Sequence, residues 1–88
     1  MYNYFNIGAV VKATAGREKG EIFLILSEQN DFVMLIDGKS KPIENPKKKN
    51  IKHLFLLCKS EYSGVDVENL TDALVIKYLK DYKSKDYK

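Results

Sequence analysis

The sequence predicts a mainly β fold, a small barrel of about five short strands with an appended C-terminal α-helix. Short apolar runs recur within about 50 residues, and turn residues separate them. Two of the runs, IFLIL and FVMLI, are apolar on both faces, so a further element must cover one side of the sheet. A later stretch with helical spacing of its apolar residues can supply that cover.

The predicted strands follow from the order of apolar runs and turns, and they cover about residues 7–14, 21–27, 32–36, 39–43 and 51–58. The turn AGREKG separates the first two strands, and a polar loop separates the next two. Asp37-Gly38 indicates a tight hairpin after the third strand. Pro42 confines the fourth strand to an edge or an end, because proline cannot donate to a ladder. The segment ENPKKKN at 44–50 is predicted to be a loop.

A helix is predicted from Val67, with Asp66 as its N-cap. Its apolar residues share one stripe, with Ala73 beside it, and they are Val67, Leu70, Leu74 and Tyr78. Lysines at 77, 80 and 83 complement the helix dipole near its end. The chain therefore divides into a barrel at 1–60, a linker at 61–65, a helix at 66–83 and a frayed tail at 84–88.

Composition and length indicate one small domain, with 88 residues of which 44% are hydrophobic. Cys58 is the only cysteine, so no intrachain disulfide can form and a reducing compartment is expected. The first residues lack the pattern of a secretory signal, and no apolar run approaches the ~20 residues that span a bilayer. We therefore expect a cytoplasmic, monomeric protein without a membrane partner.

Positive charge is concentrated locally, although the net charge is only +3. Residues 1–38 carry a net charge of −2, and residues 39–53 carry six lysines and one glutamate, a net of +5. Residues 54–76 carry −3 and residues 77–88 carry +3. A polyanion feels such a local excess at short range, since the Debye length is ~8 Å at physiological salt.

The turn between the first two strands is the first candidate site. Gly16 and Gly20 supply backbone conformations with positive φ, which alone explains them. Nothing in a turn requires cations at its tip, yet Arg17 and Lys19 lie there. Arg17 is the only arginine beside fourteen lysines, and its planar fork can hold a phosphate or stack on a base. The alternative is an ordinary solvated turn.

The second candidate site is the lysine-rich segment, which continues into His53. Its lysines can neutralise phosphates and release counterions, and they are Lys39, Lys41, Lys47, Lys48, Lys49 and Lys52. A solubilising loop is the alternative. Tyr2, Tyr4 and Phe5 could stack on bases, but we interpret them as a lid on the small core.

The residue inventory disfavours an enzyme or a metal site. The single His and the single Cys lie five residues apart in a predicted strand, where alternation places them on opposite faces. Neither a Cys–His dyad nor a zinc site can be assembled from them alone. The phosphate-binding patterns GxxxxGK[ST] and GxGxxG are absent. No catalytic residue, metal or cofactor is expected.

The turn residues carry a family resemblance. Gly8, then Val11 and Ala13, then GREKG at 16–20 resemble the KOW motif of ribosomal large-subunit proteins and NusG-type transcription elongation factors. With LIDGKSKPIENPKKKNIKHL, the chain is similar, more narrowly, to small bacterial KOW-domain proteins related to archaeal and eukaryotic ribosomal large-subunit proteins. The similarity covers about residues 6–55. Phe23 stands where many KOW motifs have a second glycine, which weakens the analogy to NusG-type factors.

The resemblance implies an SH3-like barrel, RNA binding and association with the ribosome or the translation machinery. Gly20 takes the place of the motif's key glycine, Arg17 and Lys19 its basic turn, and Lys47–Lys49 the group's basic segment. The expected RNA-binding residues are Lys12, Arg17, Lys19, Lys39, Lys41, Lys47, Lys48, Lys49, Lys52 and His53, and the expected structural turn glycines are Gly8, Gly16, Gly20 and Gly38.

The first functional hypothesis is therefore a non-catalytic RNA-binding protein, with ribosomal RNA as its expected partner and ribosomal proteins as further candidates. The second is a protein-interaction module that binds a peptide or a transcription or translation factor. RNA binding requires the two basic elements on one side of the molecule, whereas peptide binding requires an exposed aromatic groove.

Overall fold

The computed structural model describes residues 4–83, so Tyr2 and the tail predicted at 84–88 lie outside the described residues. Five strands precede the main helix, and the elements are β1 (Val10–Ala13), β2 (Ile22–Gln29), β3 (Phe32–Ile36), β4 (Lys47–Asn50), a 3₁₀ helix (Ile51–His53), β5 (Leu54–Cys58), α1 (Ser60–Ser63), a second 3₁₀ helix (Val67–Asn69) and α2 (Asp72–Lys83).

The strands form one antiparallel sheet in the order β4-β3-β2-β1-β5. Within residues 4–83 no ladder joins β4 to β5, so the sheet is open where a closed barrel was expected. The 3₁₀ helix between these strands explains the gap, because Leu54 donates its amide back to the Ile51 carbonyl within the connection. Single hydrogen bonds tie this connection to the rest of the sheet, from Thr14 N to His53 O at 2.8 Å and from Ile51 N to Asp31 O at 2.9 Å.

Both faces of the sheet carry a buried apolar cluster. The inner cluster contains Ala9, Val11, Ala13, Phe23, Ile25, Val33, Leu35 and Leu54. The outer cluster contains Val10, Ile22, Leu24, Ile36, Val75 and Leu79, of which the last two belong to α2. Alternation along each strand sends neighbouring residues to opposite faces, so the doubly apolar runs fill both clusters. The prediction that the C-terminal helix covers the second face is therefore confirmed.

The start and the buried face of α2 differ from the prediction. Asp66 does not cap this helix, and its carboxylate instead accepts a hydrogen bond from the side-chain amide of Asn69 at 2.8 Å. Thr71 caps α2, since its hydroxyl accepts the Leu74 amide at 3.2 Å. The buried stripe of α2 is also shifted by one residue, since Val75 and Leu79 are fully buried, whereas Leu74 and Tyr78 are half-buried.

The chain between β3 and β4 also differs from the prediction. No strand forms at 39–43, because the Asp37 carboxylate accepts the amides of Lys39 at 2.9 Å and Lys41 at 2.8 Å and the Ser40 hydroxyl at 3.0 Å. Burial raises the pKa of Asp37, but these hydrogen bonds outweigh it and hold the pKa below its ordinary value. The loop is anchored to α2 by a hydrogen bond from Ile43 N to Asp72 Oδ1 at 2.9 Å.

The edge strands β4 and β5 also differ from the prediction. Lys47–Asn50, predicted as loop, is strand β4, and residues 51–53, predicted as strand, are a 3₁₀ helix. His53 is therefore not in a strand with Cys58. The predicted linker at 61–65 includes most of the single helical turn α1, which ends at Gly64 with φ of +72°.

Candidate nucleic-acid interface

The β1–β2 turn is a compact, hydrogen-bonded loop. Gly20 N donates to Ala13 O at 2.8 Å, and Lys19 N donates to Gly16 O at 3.2 Å. Gly20 has a φ of +91° and nothing within 4 Å of where a Cβ would lie, so its role is conformational and not steric. Arg17 and Lys19 project from this turn with exposed side chains. A rigid backbone thus presents two cations to solvent.

The four predicted turn glycines all have positive φ in the structure, and they are Gly8, Gly16, Gly20 and Gly38. Gly38 has a second reason to be glycine. A Cβ there would lie 2.5 Å from Asp72 O and 2.8 Å from Ile76 Cγ1, so α2 packs directly on this backbone. Gly38 therefore supports the fold rather than a ligand.

The three consecutive lysines do not form one cationic surface. They lie in β4, where alternation sends Lys48 to one face and its two neighbours to the other. The ladder pairs Lys49 with Val33 and Lys47 with Leu35, both of them residues of the inner cluster. The Lys48 ammonium lies 4.6 Å from the centre of the Phe32 ring, on the outer face.

Glu18 joins the turn to β4. Its carboxylate lies 3.6 Å from Lys47 Nζ and 4.0 Å from Lys49 Nζ, and Lys49 Nζ also donates to Ala15 O at 3.0 Å. The side chains of Lys49 and Glu18 are only 12% and 13% exposed, whereas that of Lys47 is 48% exposed. The Lys49 ammonium is therefore bound by the turn, and Lys47 is the more exposed lysine of this pair.

The pKa of Glu18 reflects this setting. Burial raises it, but the hydrogen bond from a backbone amide and the positive charges of Lys49, Lys47 and Lys41 outweigh burial and lower the pKa below its ordinary value. Glu18 is thus a carboxylate at neutral pH, and it cancels part of the positive charge of this region. Lys41 is one of the cations that lower this pKa, so its positive charge lies near the turn.

A groove of about 600 Å³ opens beside the turn, over the end of β1 and its paired strand β5. It is lined by Lys12, Ala13, Thr14, Lys19, Gly20, Phe55 and Leu57. Lys12 and Phe55 are direct partners in the β1–β5 ladder, so their side chains share one face of the sheet. Phe55 is 58% exposed, the highest value among the described strand residues with large apolar side chains. Among the described residues, the groove lining contains two lysines and no carboxylate.

The remaining predicted residues divide between the two regions and the surface elsewhere. Lys39 and Lys41 lie in the loop that follows Asp37, and their backbone amides donate to the Asp37 carboxylate. Lys52 is exposed on the 3₁₀ helix, and His53 is half-buried beside Thr14. The structure therefore brings Arg17, Lys19, Lys41, Lys47 and Lys49 to one end of the sheet, with Lys12 in the adjoining groove, and leaves Lys48 on the outer face.

Sequence reasoning missed Phe55 and Glu18. Phe55 stands in the run LFLLC, which reads as an ordinary buried strand, and its exposure follows only from its place on an edge strand beyond the cover of α2. Glu18 stands between Arg17 and Lys19 in the sequence, but its ion pair with Lys47 of β4 depends on the tertiary fold. Phe5 packs against the inner cluster, as predicted for a lid, and the Lys59 ammonium lies 4.2 Å from the centre of the Tyr4 ring.

Other classes of site find no support among residues 4–83. No cluster of three or more His, Cys, Asp or Glu side chains in this part of the chain could hold a metal ion. No helix within the described range is long and apolar enough to cross a bilayer. In comparisons with known proteins, no protein-family model and no curated protein matches the chain.

Proposed function

We propose that this protein is a non-catalytic RNA-binding module. The observation that carries the proposal is the direct contact between the basic turn and the lysine strand, through Lys49 and Glu18. That contact sets Arg17, Lys19 and Lys47 at one end of the sheet with exposed side chains. Cations fixed on a rigid antiparallel frame suit phosphate contacts, which give nucleic-acid binding its affinity.

The resemblance noted in the sequence refines this proposal. The strand order β4-β3-β2-β1-β5, with a 3₁₀ helix between the last two strands, is compatible with an SH3-like barrel that is left open along one seam. We propose the KOW type of that fold, and with it ribosomal RNA as the partner and the translation machinery as the setting. The arrangement of the turn and the lysine strand supports the RNA-binding part independently of the resemblance.

A protein-interaction module is the second candidate, and the groove that exposes Phe55 favours it. Peptide recognition commonly uses such an aromatic surface. Within residues 4–83, two lysines and no carboxylate line the groove, which favours an anionic ligand over a neutral or basic peptide. An acidic peptide would satisfy the same charges, so binding assays must include one.

The test compares two double variants that remove equal charge. Arg17→Ala with Lys47→Ala removes two exposed cations from the proposed interface, and Lys77→Ala with Lys80→Ala removes two from the exposed side of α2. Titration against ribosomal RNA by fluorescence anisotropy should show a loss of about tenfold for the first variant and less than about twofold for the second.

Equal losses of RNA affinity in the two variants would show that binding depends only on net charge, and they would contradict a defined interface. Binding of an acidic peptide in preference to RNA would instead support the second candidate. Crosslinking in cells, followed by sequencing of the attached RNA, tests the ribosomal assignment separately. Enrichment of fragments that are not ribosomal would leave RNA binding in place and refute that assignment.

A further inference from the structure

The groove beside the β1–β2 turn combines an exposed aromatic ring with cations. Phe55 is 58% exposed on the edge strand β5, and Lys12 stands directly opposite it on β1. Lys19 reaches the same groove from the turn. Two of the cations named above thus flank an aromatic face, and they belong to two different structural elements.

The sheet itself determines that Phe55 is exposed. Alternation places Val11 and Ala13 in the inner cluster, so Lys12 lies on the outer face together with Phe55. On that face α2 covers Val10, Leu24 and Ile36, whereas Phe55 is left uncovered. A large apolar side chain exposed in a groove, beside lysines whose stems are themselves apolar, is suited to a ligand with a flat face and a negative charge.

We propose that this groove is a subsite for a single unstacked nucleotide, with the base stacked on Phe55 and the neighbouring phosphates held by Lys12 and Lys19. The inference rests on the proposed RNA-binding function and deepens it by naming the feature recognised, a base in a loop, bulge or single strand. Duplex bases present no free face, whereas an unstacked base does. Stacking on an aromatic side chain tolerates any base, so this subsite selects RNA shape more than sequence.

The charge of the groove supports a nucleotide over a peptide. In the part of the chain that the structure describes, the lining holds Lys12 and Lys19, the hydroxyl of Thr14 and no carboxylate. The groove places two lysines and one exposed aromatic ring together, which suits a base and its neighbouring phosphates.

The test uses the full chain with two probes, a fluorescent oligouridylate of about 12 nucleotides and linear inorganic polyphosphate. Phe55→Ala should weaken oligouridylate binding roughly fivefold to 150-fold, the range measured for loss of one stacked base. It should leave polyphosphate binding unchanged, since polyphosphate has charge and no bases. Lys12→Ala with Lys19→Ala should weaken the binding of both probes.

Two further variants separate stacking from general effects. Phe55→Leu keeps an apolar side chain without an aromatic face, and it should lose most of the same affinity as Phe55→Ala. Phe32→Ala is the matched control, because Phe32 is also a partly exposed strand phenylalanine, 39% exposed, and lies outside the groove. It should retain oligouridylate affinity within about twofold. Phe55→Trp would create the only tryptophan in the chain, and its fluorescence should be quenched by oligouridylate and not by polyphosphate.

The outcomes distinguish this subsite from the function on which it rests. If the wild-type protein binds neither probe, the proposed RNA-binding function itself fails. If it binds both with strong salt dependence, and Phe55→Ala binds oligouridylate as tightly as wild type, only the stacking subsite is refuted. Equal losses for oligouridylate and polyphosphate in Phe55→Ala would also refute stacking, as would full affinity in Phe55→Leu.

Discussion

Glu18 is expected to restrain RNA binding, and its replacement by glutamine should strengthen it. The carboxylate lies 3.6 Å from Lys47 Nζ and 4.0 Å from Lys49 Nζ, and the Glu18 side chain is 13% exposed. It therefore holds a negative charge beside Lys47, a cation that is proposed to meet a phosphate. Glu18→Gln keeps the size of the side chain and removes its charge, so the two lysines remain in place with one fewer negative neighbour.

The size of the effect follows from Coulomb's law. A phosphate bound about 6 Å from the Glu18 carboxylate is repelled by roughly 0.7 kcal/mol at the dielectric constant of water, which is about threefold in affinity. A lower effective dielectric near the protein surface raises the effect, so we expect a gain of about threefold to tenfold. If Lys49 also becomes free to meet a phosphate, the slope of log affinity against log salt should steepen by about 0.7.

The assay is a set of RNA titrations at several salt concentrations. Four cations near the groove and turn (Lys12, Arg17, Lys19 and Lys47) predict a wild-type slope near −3, taking about 0.7 per phosphate on single-stranded RNA. The control is Glu61→Gln, which removes an exposed carboxylate on α1 and should leave the affinity within about twofold. An unchanged or weakened affinity in Glu18→Gln would refute the placement of a phosphate beside Lys47.

The pKa of Glu18 adds a dependence on pH. Because the folded-state pKa is lowered, the carboxylate stays charged at and above its ordinary value of 4.5. Its contribution to stability is therefore present above that value and is lost as the pH falls through the lowered pKa. The difference in RNA affinity between wild type and Glu18→Gln should be constant near neutral pH and should disappear only under acidic conditions below pH 4.5.

Four further outcomes test the fold and the interface. Leu79→Ala empties a fully buried site and should lower the free energy of unfolding by about 2–5 kcal/mol, with a smaller loss for half-buried Leu74→Ala, as measured by chemical denaturation. Asp37→Asn should lower the free energy of unfolding by roughly 1–3 kcal/mol near neutral pH. Thermal melts should show this difference shrinking as the pH falls from 3.8, the ordinary pKa of the carboxyl, through the lowered pKa of Asp37. Gly20→Val should cost roughly 1–3 kcal/mol through backbone strain at a φ of +91°, so a wild-type denaturation curve would contradict that role. Lys48→Ala should change RNA affinity by less than about twofold, because its ammonium lies over the Phe32 ring and Lys48 is not among the residues that line the groove, and a tenfold loss in the titration would contradict this.

The sequence predicted those features that depend on local chemistry. The apolar run of β3 gave its bounds correctly, and the two-sided apolar strands required the cover that α2 provides. The glycine positions predicted positive φ, which needs no tertiary information. These successes share one cause, since pleat alternation and turn geometry act within a few residues.

The failures arise where one local signal competes with another or with a tertiary contact. Asp37-Gly38 suggested a hairpin, but the Asp37 carboxylate binds the following amides and so prevents a strand at 39–43. A run of three lysines reads as loop, and it is a strand because the ladder with β3 stabilises it. The helix start shifted because Thr71, five residues beyond Asp66, caps α2 where it can pack on Gly38. The ladder has no signature in the local sequence, whereas the Asp37 and Thr71 hydrogen bonds join residues two to four positions apart and lay within reach of sequence reasoning.

The assignment of Lys47–Asn50 to a strand changes the functional argument more than any other correction. In a loop, three lysines could turn together toward a polyanion and act as one patch. In a strand, the pleat divides them, and the two on the inner side meet Glu18 while the third covers Phe32. The lysine run therefore contributes one exposed cation, Lys47, to the proposed interface, which otherwise depends on Arg17, Lys19 and the groove. For that reason the proposed interface is centred on the β1–β2 turn and Phe55, although the densest run of positive charge in the sequence is at 47–49.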